Sequence, residues 1–339
     1  MILDPFGRLV TAIDVHAHFL SGDIDDPSGN APRLVVDSTG EGRIVEGVGG
    51  SGGRPVPPTM WSIEQRLALM DGGGVSHQVI SPVPAVMTYA WGTDPAYARS
   101  VNASIAAACE RSGGRLIGLG CVPAIAWREE VDRCVALGLR GLEVGTRLGD
   151  CDLDSPQLDE LWRSCEDNDL CLFVHPVDGG RGVLRRPGPP IDAGLGMLTD
   201  TALAASAMVF GGVLAARPGL RIALAHGCGT FLWAYPRLRY LSDPGESGNG
   251  WDNLVRRLYA DTLVFSGEHL RLLAQQLGPD RLVLGSDSPY LPDQLAGLVD
   301  SVDAAVGAGA IDSTMRVNVL VGNALRLLGL TDWMDRTLP

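Results

Sequence analysis

The sequence predicts an α/β fold: a parallel (β/α)8 barrel of the TIM type, with a small β insertion after its first strand. Two observations carry this. Apolar, strand-like runs alternate with helix-patterned segments along nearly all of the 339 residues, the pattern of repeated βα units feeding a parallel sheet. Several of those runs also end on chemically capable side chains, as happens at the C-terminal rim of such a barrel, where distant strands converge and loops build the walls.

The strand-like runs, in order, are Thr11 to Phe19, His77 to Val83, Leu116 to Pro123, Leu139 to Gly145, Cys171 to His175, Arg221 to His226, Leu258 to Val264 and Arg281 to Ser286. Helical periodicity falls between them, at Asp94 to Arg111, Trp127 to Ala136, Ser155 to Asn168, Gly267 to Leu277 and Leu295 to Ala308. Ser155 with Pro156, and Ser266 with Glu268, read as helix starts. A last helix around Ser313 to Leu328 closes the barrel from outside. Although length alone suggests about two domains, barrels of this kind run to about 250 residues or more as one unit, so residues 1–339 are read as a single domain. Residues 20–58, rich in Gly, Pro, Asp and Ser, are too long for an ordinary βα loop. Their alternating runs RLVVD and GRIVEG favour a β hairpin folded as a lid over the rim. A GVGGSGG turn occupies residues 47–53, and a second irregular stretch, Val177 to Ile191, overhangs the rim after His175.

Composition narrows the function. A formal charge of -13 and a pI near 4.8 argue against nucleic acid or an anionic membrane as a partner and for a small substrate. All 27 basic residues are arginine. With no lysine there is no Schiff base, no lysine-anchored pyridoxal phosphate and no carbamylated lysine bridging two metals. The seven cysteines lack C-x-x-C spacing and read as reduced thiols of a cytoplasmic protein. No basic segment leads into an apolar core at the N-terminus, so no signal peptide is expected. The longest apolar stretch, Thr201 to Ala216, is shorter than the roughly 20 residues of a membrane span and reads as a buried helix.

Four phrases hold the chemistry: DVHAHF, FVHP, LAHG and GSDSP, which present His16, His18, His175, His226 and Asp287. His16 and His18 lie two apart on a strand, so both side chains leave the same face and can reach one ion. An H-x-H pair alone is a weak signal. Histidines and an aspartate at the ends of strands one, five, six and eight make a strong one. Such a set with an open position suits Zn²⁺, while Mn²⁺, Fe²⁺ or Co²⁺ accept the same ligands. Five groups exceed the need of one catalytic ion. Either His16, His18, His175 and Asp287 bind it and His226 is a free base, or His226 is a ligand and His175 supports it. His77, at a strand start, faces the far end of the barrel, and His269 is read as a structural or solvated helix residue.

Over nearly its whole length the chain resembles the amidohydrolase-related metal-dependent decarboxylases typified by 2-amino-3-carboxymuconate 6-semialdehyde decarboxylase. The resemblance rests on IDVHAHF, GGRPV, RLALMDGGGVSHQVISPVP, LGDCDLDSPQLDELW before FVHP, AHGCGTF, and LGSDSP before a proline-containing turn. It implies zinc on His16, His18, His175 and Asp287, with His226 as the acid–base residue. It also implies that Arg54 anchors a substrate carboxylate and that Arg237 reaches into a neighbouring subunit's site, hence a homodimer. Arg is apt for this, since its planar fork binds a carboxylate through two parallel hydrogen bonds. The departures lie in the pocket wall: Val177 and Gly179 stand where the family has tryptophan and methionine, Cys228 where it has glycine, and Tyr290 where it has phenylalanine.

Loss of CO₂ leaves an electron pair that needs a sink, and with no pyridoxal, thiamine or flavin signal the substrate must provide it. The expected chemistry is zinc-dependent and oxygen-independent. Metal-bound water loses a proton to His226, the hydroxide adds to an unsaturated or aromatic carboxylic acid, His226 returns the proton to carbon, and the carboxylate then leaves as CO₂ while the hydroxide goes back to the ion. A hydratase or hydrolase acting on a related dicarboxylic acid would use the same first half, and CO₂ as product separates the two. A non-catalytic protein with a structural zinc would instead close its coordination sphere and keep no spare histidine.

Overall fold

In the computed structural model the described residues are all except 27, 48–52, 181–183, 187, 189, 243–248 and 338–339. The centre of the GVGGSGG turn and parts of the overhang after His175 therefore lie outside the described residues.

Eight parallel strands form the expected barrel: β1 (Ile13–Asp14), β2 (His77–Pro82), β3 (Leu116–Gly120), β4 (Gly141–Gly145), β5 (Cys171–His175), β6 (Ile222–Leu224), β7 (Tyr259–Asp261) and β8 (Leu282–Val283). They pair in chain order. Registers run from Ile13 beside His77, through Phe173 beside Glu143 and Ala223, to Ala260 beside Leu282. Closure comes from a parallel bridge between Asp14 and Leu284, with the Val15 N–H donating to the Leu284 carbonyl at 2.8 Å. The extended pairing of His18 and Phe19 with Ser81 and Pro82 continues the first strand past His16. Helices cover the outer face, so strands such as LIGLG and CLFVH are buried along their whole length and read as continuous apolar runs.

One helix following each strand forms the outer ring: α1 (Ile63–Gly72), α2 (Pro95–Arg111), α3 (Trp127–Ala136), α4 (Asp159–Asp167), α5 (Met197–Phe210), α6 (Phe231–Ser242), α7 (Gly267–Leu277) and α8 (Leu298–Gly307). Ser62 and Asp94 cap α1 and α2 with their side chains. Ser155 and Ser266 stand at helix starts but make no side-chain cap. The expected last helix is present and runs without a break from Ser313 to Leu327, with a π turn at Asn318–Gly322 in its middle.

Two expectations change. The stretch from Thr201 to Ala216 is not one buried helix. Gly211 and Gly212 end α5, a short helix Val213–Ala216 follows, and α5 buries only one face, leaving Leu203 59% exposed. The run Asp192–Phe210 is long and apolar enough to cross a membrane by length and composition, yet Thr201, Ala204, Ala205 and Met208 on it pack inward against the barrel. After β1 the chain builds three antiparallel strands, Arg33–Val36, Gly42–Val45 and Arg54–Val56, one more than a hairpin. The prolines of RPVPP argue against that third strand, but it is an edge, where a missing N–H is tolerated.

Beneath the rim lies a buried polar network. Arg66 of α1 is fully buried and donates to Gln78 Oε1 at 2.7 Å and to the His18 carbonyl at 2.5 Å. Gln78 donates to Asp14 Oδ2 at 2.7 Å, and Asp14 also accepts from the Ser286 hydroxyl at 2.6 Å and the His16 N–H at 3.2 Å. The network ties α1, β2 and both closing strands to the backbone of two site histidines. Arg66→Met is therefore expected to lower folding stability by about 3 kcal/mol, since it leaves buried acceptors without a partner; denaturant unfolding of the two proteins measures this.

Candidate metal centre

His16, His18, His175 and Asp287 come together at the C-terminal rim, with one ligand atom from each within 4.8 Å of all the others. The Asp287 Oδ1 lies 3.2 Å from His18 Nε2 and 3.5 Å from His16 Nε2. The Nε2 atoms of all three histidines and Asp287 Oδ1 are buried and have no hydrogen-bond partner among the described residues. Each Nδ1 is engaged. His18 donates to the Pro82 carbonyl at 3.1 Å, His175 donates to the Pro176 carbonyl at 2.9 Å, and His16 pairs with Asp261 Oδ2 at 2.7 Å. These outer bonds turn the Nε2 lone pairs toward one point, the usual arrangement around a metal-binding imidazole. Three imidazole nitrogens and a carboxylate oxygen, orphaned and convergent, fit a divalent transition ion.

Burial disfavours the charge on His16, but its bond to Asp261 and the nearby Asp287 carboxylate outweigh this and raise its pKa to about 9. His175 is held well below the usual range by burial, and then by its neighbours His18 and His16. Burial pushes the Asp287 carboxyl up, yet the imidazoles of His18, 3.2 Å away, and His226, 3.9 Å away, bring it well below the carboxylate range. Imidazoles 5.2 Å apart are thus driven in opposite directions, because adjacent histidines cannot all carry protons around one carboxylate.

His226 is not in the convergent group. Its Nε2 stands 3.9 Å from Asp287 Oδ2, and its Nδ1 is buried without a partner. It lines a cavity of about 780 Å³ above the cluster, together with His175, Asp287, Arg54, Tyr290 and Val177. This geometry favours the reading in which His226 is the free base. The Arg54 guanidinium lies over the Tyr290 ring, 4.1 Å from its centre. Tyr290 in turn packs on His18, with ring centres 5.4 Å apart. Arg237 is exposed on α6 and does not line this cavity. Cys228 is buried beneath the rim and stays outside the lining. His77 meets Asp4 at 3.2 Å at the far end of the barrel, as its position in the strand implies. His269 is exposed, but it sits at the mouth of the cavity rather than away from it.

Two groups escaped the sequence reading. Asp261, at the C-terminal end of β7, accepts from the backbone N–H of His226 at 2.9 Å and of Gly227 at 2.8 Å while holding His16. Glu143, in the middle of β4, is buried with neither carboxylate oxygen partnered among the described residues, 3.8 Å from His18 Nδ1. Asp261 closes its strand, as Asp287 follows the end of β8, while Glu143 lies inside an apolar strand where an acid gives no strand-end signal.

A family model for amidohydrolases matches residues 13–330. A curated relative, 2-amino-3-carboxymuconate-6-semialdehyde decarboxylase of Dictyostelium discoideum, is 28% identical over 335 residues, covering 94% of this chain and 91% of its own. The crystal structure of Metarhizium anisopliae IDCase in its apo form superposes with a TM-score of 0.78 at 23% identity, covering 95% of this chain and 98% of that one. A dihydroxybenzoic acid decarboxylase from Polaromonas sp. JS666, solved with bound manganese and the inhibitor 2-nitroresorcinol, gives a TM-score of 0.70 at 19% identity, with 95% and 98% covered. The fold and the order of motifs agree with the resemblance drawn from the sequence, and since the family model spans nearly the whole barrel, the chain belongs to the amidohydrolase family.

Proposed function

We propose that this protein is a metal-dependent decarboxylase of an unsaturated or aromatic carboxylic acid, with His16, His18, His175 and Asp287 holding the ion and His226 moving the proton. The observation that carries this reading is the convergence of four orphaned ligand atoms beside a fifth group, His226, that is free and faces the cavity. Zinc is our assignment of the ion; the manganese of the Polaromonas enzyme supports a divalent metal more broadly. Bound there, such an ion polarises a coordinated oxygen and lowers the pKa of a coordinated water toward about 7.

The chain's own groups do the rest. Arg54, backed by Tyr290, orients a carboxylate beside the cluster. His226 takes a proton and returns it to the substrate carbon as the C–CO₂ bond breaks. The bond's electron pair stays on that carbon, the unsaturated system spreads the charge, and the proton replaces the lost carboxyl. Acid and proton go to CO₂ and the protonated product, with no oxidant or reductant.

A homodimer is part of the proposal. Arg237 shares one face of α6 with Trp233, Tyr240 and Leu241, and Trp233 and Tyr240 are 84% and 80% exposed. An apolar surface patch of this kind favours association, and it would carry Arg237 toward a second chain. The seven unpaired cysteines are compatible with the reducing cytoplasm that we assign.

Zinc-loaded protein given aminocarboxymuconate semialdehyde or a hydroxybenzoic acid is expected to release CO₂, and metal-stripped protein to release none. A hydrated product without CO₂ would move the assignment to a hydratase. His226→Ala is expected to lower CO₂ release about 10²–10⁴-fold while metal analysis still finds one ion per chain; loss of the ion would make His226 a ligand. Asp261→Asn is expected to weaken metal affinity about 10–100-fold by loosening His16, as read by competition with a chelator.

A further inference from the structure

The cavity above the cluster is lopsided. Arg54 and Tyr290 stand on the β8–β1 side, next to His18. Around the rest of the cavity, the described lining over β5, β6 and β7 is mainly apolar: Met197 and Leu198 at the start of α5, Leu232 in the first turn of α6, Val264 after β7, and Leu272 and Leu273 on α7, with Thr230 and His269 as its polar members besides the site histidines. These side chains form a trough that leads from His226 away from Arg54. At about 780 Å³ the cavity falls in the upper part of the roughly 300–1,000 Å³ range that accommodates drug-sized ligands. A single small polar acid would meet its charged partners at one end and leave this trough filled with poorly bonded water.

We infer that the trough holds a large apolar body of the substrate, so that the acid bound most tightly is an extended one, a fused-ring or alkyl-substituted aromatic carboxylic acid, ahead of smaller acids that the same site can also turn over. This rests on the proposed decarboxylase reading and adds the class of acid to it. The carboxylate lies between Arg54 and the cluster, and the apolar part lies along α5, α6 and α7. Apolar area removed from water there adds affinity in proportion to its size, and it seats the scissile bond by contacts remote from the chemistry. Val177 on the cavity floor is small and β-branched and leaves the entrance to the trough open.

The test is calorimetric titration of zinc-loaded protein with 2-hydroxybenzoate, 3-hydroxy-2-naphthoate and 2-hydroxy-4-pentylbenzoate, with CO₂ followed in the same solutions. Both extended acids are expected to bind at least tenfold tighter than 2-hydroxybenzoate. Leu272→Trp, which fills the trough, is expected to bring that ratio below threefold, and Val177→Phe provides a second, independent constriction. A ratio under tenfold in the unaltered protein, or binding of none of the three acids, overturns the inference. Tight binding of the extended acids without CO₂ supports the trough and counts against the decarboxylase reading. CO₂ from 2-hydroxybenzoate with no gain in affinity for the larger acids does the reverse.

Discussion

The carboxylate of Asp261 is the joint on which the site depends. It is fully buried at the end of β7. One oxygen meets His16 Nδ1 and the His226 N–H; the other accepts from the N–H groups of Gly227 and Leu263. A single side chain thus aims His16 from β1 and fixes the turn that presents His226 after β6. Burial works against its charge, but the hydrogen bond from His16 and the surrounding donors hold its pKa below the ordinary carboxylate value. It therefore stays an acceptor, and His16 Nε2 stays turned to the centre. Ligand geometry and proton-transfer geometry are set by the same contact.

That joint brings strain with it. His226, Cys228 and Asp287 all have positive φ, at 55°, 64° and 55°, a region that side chains other than glycine seldom occupy. Such conformations persist only where the surroundings over-determine them, and they gather at functional sites. Here the determinants are visible. The Asp261 bonds hold Gly227 and His226, and the Asp287 N–H donates to the His16 carbonyl at 2.8 Å. Gly285 has no side chain for a similarly direct reason: a Cβ there would lie 2.6 Å from the Asp261 Cβ and 3.0 Å from the His16 Cβ. The eighth strand can approach the first closely only because that position is bare.

Against this geometry, what could be read from the sequence divides along a physical line. Strand ends that close an apolar run on a histidine were legible, because a buried parallel strand leaves little ambiguity about where the run stops. His16, His18, His175 and His226 were found in this way, and Asp287 by the same strand-end position after RLVLG. Asp261 closes an equally good run, YAD, and Glu143 sits inside another, GLEVG, but a single acid in an apolar run does not announce a site, and only the contacts with His16 and His18 reveal their place. Likewise α5 has an apolar composition on every side, so its half-exposed face could not be seen until α6 was placed beside it. The third strand of the small sheet was hidden by its prolines. Edge strands are where pattern and propensity separate, since half of their ladder is never formed.

The acidic balance of the chain bears on how a carboxylate substrate is held. With a net charge of -13, the protein's overall field opposes an incoming anion, so attraction has to come from within the cavity. A divalent ion there would have its charge largely offset by Asp287 and Asp261, which leaves Arg54 as the deciding cation on the described lining. Its guanidinium lies over the Tyr290 ring at an exposed edge of the cavity, so its attraction for a carboxylate depends on how much water the bound substrate itself displaces. An apolar substrate body would expel the remaining water and strengthen the same contact further. Size selection by the trough and charge recognition by Arg54 are therefore coupled, with tight apolar packing at one end making the ion pair at the other worth more.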